Sequence, residues 1–347
     1  MMRSAAALVA VGTVVTVVTV VAGAAGAAST IARDVRAVLT RDFRFGSSDL
    51  SELERGRIVR RGLDALAAGE VGVIGAVRVA APADAFIERA RRIEEFKRGP
   101  DVVQLGRFSN PPQLADLRAL AVDRTDADLR RCRVGACDIR LSAQAIARVQ
   151  HEVDWTAADA DSRSAQLFKQ ILFEHVNAYW HGGPGRIMRY DDEKRAVLPM
   201  EDFDALLKTA PYLGALIPEL PAHLRDPASN PMPGSEDLLY WSKEKFGLTP
   251  FITVTHVVIA RAASGTQVIA SRDVYSSRYF DASLSFTMAS PAVDAPNAFY
   301  LVYANRSRAA ALKGAFSSLR RSIVERRARN ALEETLRTIK ARMEQKP

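Results

Sequence analysis

The histidine with the most informative surroundings is His256, which lies in the apolar run FITVTHVVIA. Because successive side chains of a strand point to opposite faces, His256 shares a face with Val254 and Val258 and is expected to point inward. A buried imidazole beside a cavity can orient a ligand or act as a general base. The alternative is a core histidine satisfied by one hydrogen bond, and the run alone does not separate the two.

Two arginines pose a sharper question in the long run VIASRDVYSSRYFDASLSF. Strand alternation places Arg272 and Arg278 on the same face as apolar side chains such as Phe280. An isolated buried charge is very costly, so each guanidinium must be paired or must contact a ligand. The two could hold the carboxylate or phosphate group of a ligand whose apolar body fills a pocket. The alternatives are a bulge that turns both arginines to solvent, or ion pairs with Asp273 or Asp281.

These residues define the predicted ligand-binding site, and a catalytic alternative stays open. We predict that a ligand contacts five side chains: His256, Arg272, Tyr275, Arg278 and Phe280. In the catalytic alternative, His256 exchanges protons with Tyr275 or Asp273. Alternation places Tyr275 and Asp273 on the polar face, away from His256, so the strand arrangement would have to bring them together.

The spacings of histidines and acidic residues do not match a known metal or cofactor motif. HEVDW (151–155) lacks the second histidine of a zinc protease motif, and Glu174, His175 and His181 have no recognisable further ligands. The glycines after His181 are explained by a helix end and a turn, since no G-x-S-x-G motif accompanies them. The sequence therefore predicts no metal and no cofactor, and it favours a binding protein over an enzyme.

Only two cysteines occur, Cys132 and Cys137, in RCRVGACDIR. Gly135 between them can make a tight turn. Two thiols without nearby histidines cannot build a zinc site, and a redox pair is more often C-x-x-C. We therefore predict a structural disulfide, which an oxidising compartment would maintain.

The amino terminus predicts export from the cytoplasm. Arg3 precedes an uncharged run of alanine and valine, and AGAAGAAS offers small-residue cleavage sites. We predict a signal peptide over residues 1–28 and a periplasmic or secreted protein; an uncleaved membrane anchor is the alternative, because the run is about long enough to span a bilayer. Residues 29–48 are predicted to be a loosely attached lead-in, and residues 49–347 a single domain.

The elements that must position these residues change in type along the chain. The sequence predicts mainly helices over about residues 110–235. From Asp237 onward, four extended runs separated by turns predict an antiparallel sheet. The third run, TQVIASRDVYSSRYFDASLSFTM, has 23 residues and is far longer than a typical strand, so we predict a bulge or sharp bend within it. A single long helix is predicted from Ser307 to Gln345, with a continuous apolar stripe that docks on the body.

The charge of the chain bears on its partners. The net charge is +8, and the segment from Arg306 to Pro347 holds 12 lysines and arginines against four glutamates. A basic amphipathic helix of this kind can lie on an anionic membrane, or it can dock and expose its charged face to solvent. Nucleic acid is not an expected partner, because the chain is predicted to be exported and no aromatic residues are interleaved with the basic ones.

The order of elements resembles that of the START-like, helix-grip superfamily of polyketide cyclases and lipid-transfer proteins. The first part of the resemblance is VRVAAPADAFIERARRI (77–93), a strand followed at once by a helix. The second is NAFYLVYANRSRAAALKGAFSSLRRSIVERR (297–327), a last strand followed by the terminal helix. The resemblance covers about residues 69–100 and 237–345, so the segment of about residues 110–235 would be an insertion. The resemblance implies an α+β fold in which a curved antiparallel sheet wraps a long C-terminal helix and leaves an apolar tunnel between them.

These observations lead to one predicted function and two alternatives. We expect an exported protein that binds a hydrophobic or amphipathic small molecule, such as a lipid, between the sheet and the C-terminal helix. The alternatives are an enzyme on the same scaffold and an envelope structural or assembly protein whose basic helix contacts a membrane.

Overall fold

The computed structural model describes residues 30–124, 126–182, 187–245, 249–314 and 317–345. The predicted signal peptide over residues 1–28 lies outside the described residues. In the described part of the chain, no helix is both long and apolar enough to cross a membrane.

The fold is α+β and is built on one open antiparallel sheet of eight strands. Their order in the sheet is β1-β2-β8-β7-β6-β5-β4-β3. The strands are β1 Val59–Leu63, β2 Glu70–Val79, β3 Val102–Arg107, β4 Glu236–Lys245, β5 Pro250–Arg261, β6 Gln267–Ser276, β7 Ala282–Ala292 and β8 Ala295–Arg308. The early strand β2 lies beside the last strand β8, and the meander β4 to β8 fills the centre.

Helices cover both faces of this sheet. They are α1 Arg33–Ala37, α2 Ser47–Glu54, α3 Ala83–Arg91, α4 Ile93–Phe96, α5 Ala143–Glu152, α6 Ala160–Gly182, α7 Pro199–Lys208, α8 Pro211–Leu216, α9 Leu220–Arg225 and α10 Ser317–Glu344. One face, here called the α10 face, packs against α3, α4 and α10. The opposite face packs against α1, α2 and the helices α5 to α9. Because both faces are covered, β5 is buried along almost its whole length and reads as a continuous apolar run.

The long third run is divided, as predicted. It forms β6 and β7, which are separated by a turn in which Tyr279 has a φ of 66°. A bulge precedes the turn: Val254 pairs with Tyr275, whereas Thr255 pairs with Asp273, so one residue of β6 has no partner on β5. The extra residue reverses the alternation beyond it. Tyr275 is therefore buried on the face opposite α10, although simple alternation predicted it on the polar face.

The C-terminal helix is shorter than predicted and begins at Ser317, because β8 continues to Arg308 and a 3-10 turn over Ala310–Leu312 follows it. The second half of α10 packs on β1 and β2. Gly75 of β2 permits the close approach, since a Cβ there would lie only 2.7 Å from a methyl group of Leu336. In the first half, Leu319 and Ile323 are 60% and 38% exposed. Val324 and Ala328, in the same half, do pack on the body. The predicted docking therefore holds for most of the helix, but the predicted apolar stripe is interrupted by Leu319 and Ile323.

Residues 30–48, within the predicted lead-in, contribute several apolar side chains to the core, while their polar side chains are largely exposed. Val35, Leu39 and Phe43 are buried against the helices that cover the opposite face. These apolar residues lie on a short helix that continues as a π turn, so their spacing does not follow the regular helical period from which a helix would be predicted. The disulfide between Cys132 and Cys137 is confirmed.

Candidate functional site

His256 is fully buried near the middle of β5. Its side chain lies on the face opposite α10, together with Val254 and Val258, as strand alternation predicts. The carboxylate beside it comes from Asp237, the second residue of β4. Antiparallel pairing of β4 with β5 places these two residues close together, although they are far apart in the chain.

A second histidine completes a cluster of three side chains, here called the His–Asp–His cluster. His223 lies in α9, which contacts the sheet at β6, and its side chain reaches Asp237 of β4 and His256 of β5. The Nε2 atoms of His223 and His256 lie 2.7 and 2.8 Å from the same oxygen, Oδ1 of Asp237. The three potential ligand atoms all lie within 4.8 Å of one another.

The remaining ring nitrogens are also held by hydrogen-bonding groups. Nδ1 of His223 lies 2.7 Å from the carbonyl oxygen of Asn230, in the loop after α9. Nδ1 of His256 lies 2.9 Å from the hydroxyl of Tyr179, on α6. The ring of Trp180 meets that of His256 edge to face, with centroids 5.9 Å apart. The orientation of both imidazoles is therefore fixed by partners on three other parts of the chain: β4, α6 and the loop after α9.

Two opposing effects set the pKa values of the cluster: burial disfavours the charged form of each group, and contacts between the groups favour it. Burial raises the pKa of the Asp237 carboxyl, but the contacts with both imidazoles outweigh it and hold the pKa well below its usual value. Burial lowers the pKa of His256 more than Asp237 raises it, so His256 favours the neutral form. For His223, burial is outweighed by Asp237 and the Asn230 carbonyl, and the pKa is raised. Burial also raises the pKa of Tyr179 to about 12, so its hydroxyl remains protonated.

Arg272, which pairs with His256 across β5 and β6, meets no carboxylate in the described residues. Its guanidinium donates to the carbonyl oxygens of Leu224 and Arg225, each at 3.2 Å, at the end of α9. It also lies over the ring of Phe203, 3.9 Å from the centroid. A cation at a helix C-terminus is favourable because the unpaired carbonyls carry partial negative charge. Arg272 thereby fixes the end of the helix that carries His223.

The other predicted ligand-binding residues lie elsewhere. The hydroxyl of Tyr275 donates to the carbonyl oxygen of Arg140 at 3.0 Å, and Arg278 donates to that of Asp126. Phe280 packs against Phe251, with ring centroids 6.1 Å apart. Of the five predicted residues, the structure brings together only His256 and Arg272.

The acid–base pairing predicted for a catalytic site is not formed. Asp273 accepts a hydrogen bond from the Thr255 hydroxyl at 3.0 Å. Both side chains lie on the α10 face, since they are one residue out of phase with His256 and Arg272. Tyr275 is held by the backbone of residue 140, and neither group reaches His256 by a hydrogen bond. His256 has Asp237 and Tyr179 as its partners instead.

A pocket of about 470 Å³ opens beside the His–Asp–His cluster at the edge of the sheet, where β3 ends. Asp237 lines it and is the most exposed member of the cluster, with 21% of its side chain accessible. Glu94, Arg107, Asp116 and Trp180 also line this sheet-edge pocket. The polar lining suits a small, charged molecule better than a hydrocarbon.

A second pocket, of about 380 Å³, lies between α3, α4 and the end of α10. Its apolar lining comes from Phe86, Phe96, Ile339 and Met343, and its polar lining from Arg89, Arg92, Glu95 and Arg342. Arg92 donates to Glu95 at 3.0 Å. This α10 pocket combines apolar side chains with several cationic groups, an arrangement that fits an amphipathic anion.

Sequence reasoning missed His223 and Asp237. Asp237 falls where the helix-rich segment of about residues 110–235 is followed by the extended runs, and prolines interrupt the segment around His223. The three members of the cluster are separated by 14 and 19 residues, so no local motif connects them. The periodic stripe of the last helix did include Ile339 and Met343, which line the α10 pocket.

No family model, curated protein or solved structure matches the chain.

Proposed function

We propose that this chain is an exported protein that binds an amphipathic anion, such as a fatty acid or a lysolipid, in the α10 pocket. The observation that carries the proposal is the composition of that pocket: aromatic and aliphatic side chains beside a rim of arginines. A volume of about 380 Å³ is within the usual range of ligand sites. This pocket lies between α3, α4 and the end of α10, so it shares the C-terminal helix with the site expected from the sequence but is not lined by the sheet.

The arginines at the rim of the α10 pocket, Arg89, Arg92 and Arg342, support the proposal that the ligand has an anionic head group. Within the described residues, the guanidinium groups of Arg89 and Arg342 have no ion pair or hydrogen bond, and both side chains are exposed. Guanidinium groups bind carboxylate and phosphate through two parallel hydrogen bonds. Phe86 and Met343 are buried beneath them, so a ligand whose head contacts the rim can place its apolar body on these residues.

The finer assignments belong to the same proposal. We place the fold with the START-like, helix-grip proteins because an early strand and helix, an antiparallel sheet and a packed C-terminal helix occur in that order. Export is supported by the sequence of residues 1–28 and by a disulfide in the body of the protein. Cell fractionation followed by mass measurement of the amino terminus tests both export and cleavage.

The binding proposal is tested with saturated fatty acids of increasing length and with matched alcohols. Each methylene buried on binding contributes about 0.8 kcal/mol, so affinity should rise about fourfold per carbon until the pocket is filled. Replacing Arg89 and Arg342 together by glutamine should weaken acid binding about 5- to 30-fold, because exposed charge pairs contribute up to about 1 kcal/mol each. The alcohols should be unaffected. Arg337→Gln, on the outer face of α10, is the control.

Two results would contradict this proposal. One is that acids and alcohols bind equally well to the wild type and to the double variant. The other is that Ile339→Trp, which fills the α10 pocket, leaves binding unchanged while the variant remains folded by circular dichroism.

A second candidate function is peripheral contact with an anionic membrane through the first half of α10. It is favoured by the exposed side chains of Leu319 and Ile323, which are flanked by the exposed Arg326 and Arg327. Such a surface can bury its apolar side chains in the membrane interface while the arginines contact lipid phosphate. In vesicle flotation, Leu319→Ser with Ile323→Ser should abolish binding to phosphatidylglycerol vesicles. Retained flotation of the folded variant would exclude this surface.

A further inference from the structure

We infer that the His–Asp–His cluster is a binding site for a divalent transition-metal ion such as Zn²⁺, with His223, Asp237 and His256 as its protein ligands. Two imidazoles and a carboxylate are a donor set that Zn²⁺ and related ions use in sites with open coordination positions. The three ligand atoms already converge within 4.8 Å. This inference uses different residues from the proposed α10 pocket and does not depend on it.

The hydrogen-bonding geometry of His223 is the strongest argument. Its two ring nitrogens each face an oxygen that can only accept, the carbonyl of Asn230 and the carboxylate of Asp237, both at 2.7 Å. A neutral imidazole has only one N–H, so it can donate to only one of these two oxygens. The other nitrogen then faces an oxygen lone pair with its own lone pair, and this contact is favourable only if a proton or a metal ion lies between them. A metal ion bound to Nε2 and Oδ1 makes this contact favourable, whereas an imidazolium is the competing state.

The surroundings match those of metal-bound histidines. A ligating imidazole normally donates its other N–H to a carbonyl or a similar acceptor, which fixes the ring and its tautomer. The Asn230 carbonyl can accept from Nδ1 of His223, and the Tyr179 hydroxyl can accept from Nδ1 of His256 at 2.9 Å. Both Nε2 atoms then present lone pairs to the same point beside Asp237.

Space and charge are compatible with a bound ion. The Nε2–Oδ1 separations of 2.7 and 2.8 Å are shorter than the separation of about 3.3 Å between two ligands of a tetrahedral zinc ion, so the side chains must move apart by about half an ångström. His223 belongs to a six-residue helix followed by a loop, which can move by this amount. The guanidinium groups of Arg272 and of Arg107, which lines the sheet-edge pocket, oppose the ion. The carboxylates of Glu94 and Asp116 in the same pocket, together with that of Asp237, offset them.

The inference assigns a role to the sheet-edge pocket. Because three protein ligands leave at least one coordination position open, a water molecule or an anionic ligand can complete the site from the side where Asp237 reaches the pocket. The ligand class expected there is a small anion, such as a carboxylate or a phosphate.

The test uses the full chain, freed of metal with a chelator and then titrated with Zn²⁺ by calorimetry and with Co²⁺ by absorption spectroscopy. The wild type should bind one Zn²⁺ per chain and develop the d–d bands of a low-symmetry cobalt site. Asp237→Asn, which keeps the shape of the side chain, should weaken Zn²⁺ binding at least 100-fold. His151→Gln, an exposed histidine on α5, is the matched control and should leave binding unchanged.

A ligand exchange separates coordination from a merely structural role. Asp237→Cys should retain Co²⁺ and add a thiolate-to-cobalt band in the near ultraviolet. Wild-type protein that binds Zn²⁺ no better than folded Asp237→Asn would overturn the inference. So would ¹⁵N spectra in which both nitrogens of His223 stay protonated when Zn²⁺ is added, because His223 would then be a permanent imidazolium paired with Asp237.

Discussion

Asp273 provides the sharpest quantitative prediction, because its surroundings disfavour its charge. Burial raises the pKa of this carboxyl from 3.8 to about 7, more than the hydrogen bond from Thr255 lowers it, and Glu244 raises it further. A carboxyl whose pKa is higher in the folded chain than in the unfolded chain binds its proton more tightly when folded. Its ionisation therefore reduces stability as the pH rises from about 4 to 7.

The magnitude follows from the two pKa values. The gap between 3.8 and about 7 corresponds to about 4 kcal/mol, which is an upper bound because part of the side chain still reaches solvent. Asparagine has nearly the shape of the protonated acid and cannot ionise. The stability gained by Asp273→Asn should be close to zero at pH 3, increase by up to about 1.4 kcal/mol per pH unit between pH 4 and 7, and then level off.

The assay is urea unfolding of the wild type and of Asp273→Asn at pH 4, 5, 6, 7 and 8. Asp64→Asn is the control, since 85% of the Asp64 side chain is exposed and its substitution should change stability by less than about 0.5 kcal/mol at every pH. A gain that is the same at pH 4 and pH 8, or a loss of stability at pH 8, would refute the reasoning.

The same experiment bears on catalysis. A carboxyl with a pKa near neutrality is what a general acid or base requires, and such values concentrate at functional sites. Asp273, however, lies on the α10 face, whereas His256 lies on the opposite one. We therefore expect the raised pKa to act on stability alone.

Three further predictions concern the packing of the body. Leu336→Ala should cost about 2–5 kcal/mol in chemical unfolding, because Leu336 is buried between α10 and the sheet. Leu319→Ala, on the exposed side of the same helix, should cost less than about 0.5 kcal/mol, and equal effects would show that the helix docks differently. Gly75→Ala should lower stability by about 1–3 kcal/mol, since its Cβ would meet Leu336 at 2.7 Å, and a neutral result would disprove the close contact. Replacing Cys132 and Cys137 by serine should cost about 2 kcal/mol, the loop entropy of a five-residue separation, and an unchanged unfolding midpoint would contradict that estimate.

The sequence by itself determined the features that depend on local alternation and chain length. It predicted that His256 points inward, because side chains alternate along a strand regardless of what the strand pairs with. It also predicted that the 23-residue run must be interrupted and that Cys132 bonds to Cys137. These properties are carried by residues that are neighbours in the chain.

The tertiary structure decided the features that depend on distant pairing. A single extra residue in β6 moved Tyr275 to the opposite face, and only the register with β5 reveals where that residue lies. Asp237 reaches His256 because β4 pairs with β5, and His223 reaches both because α9 packs on the sheet with its end held by Arg272. The contacts that orient an imidazole join separate elements and leave no signal in the local order of residue types, so the sequence could indicate a buried histidine but not its partners.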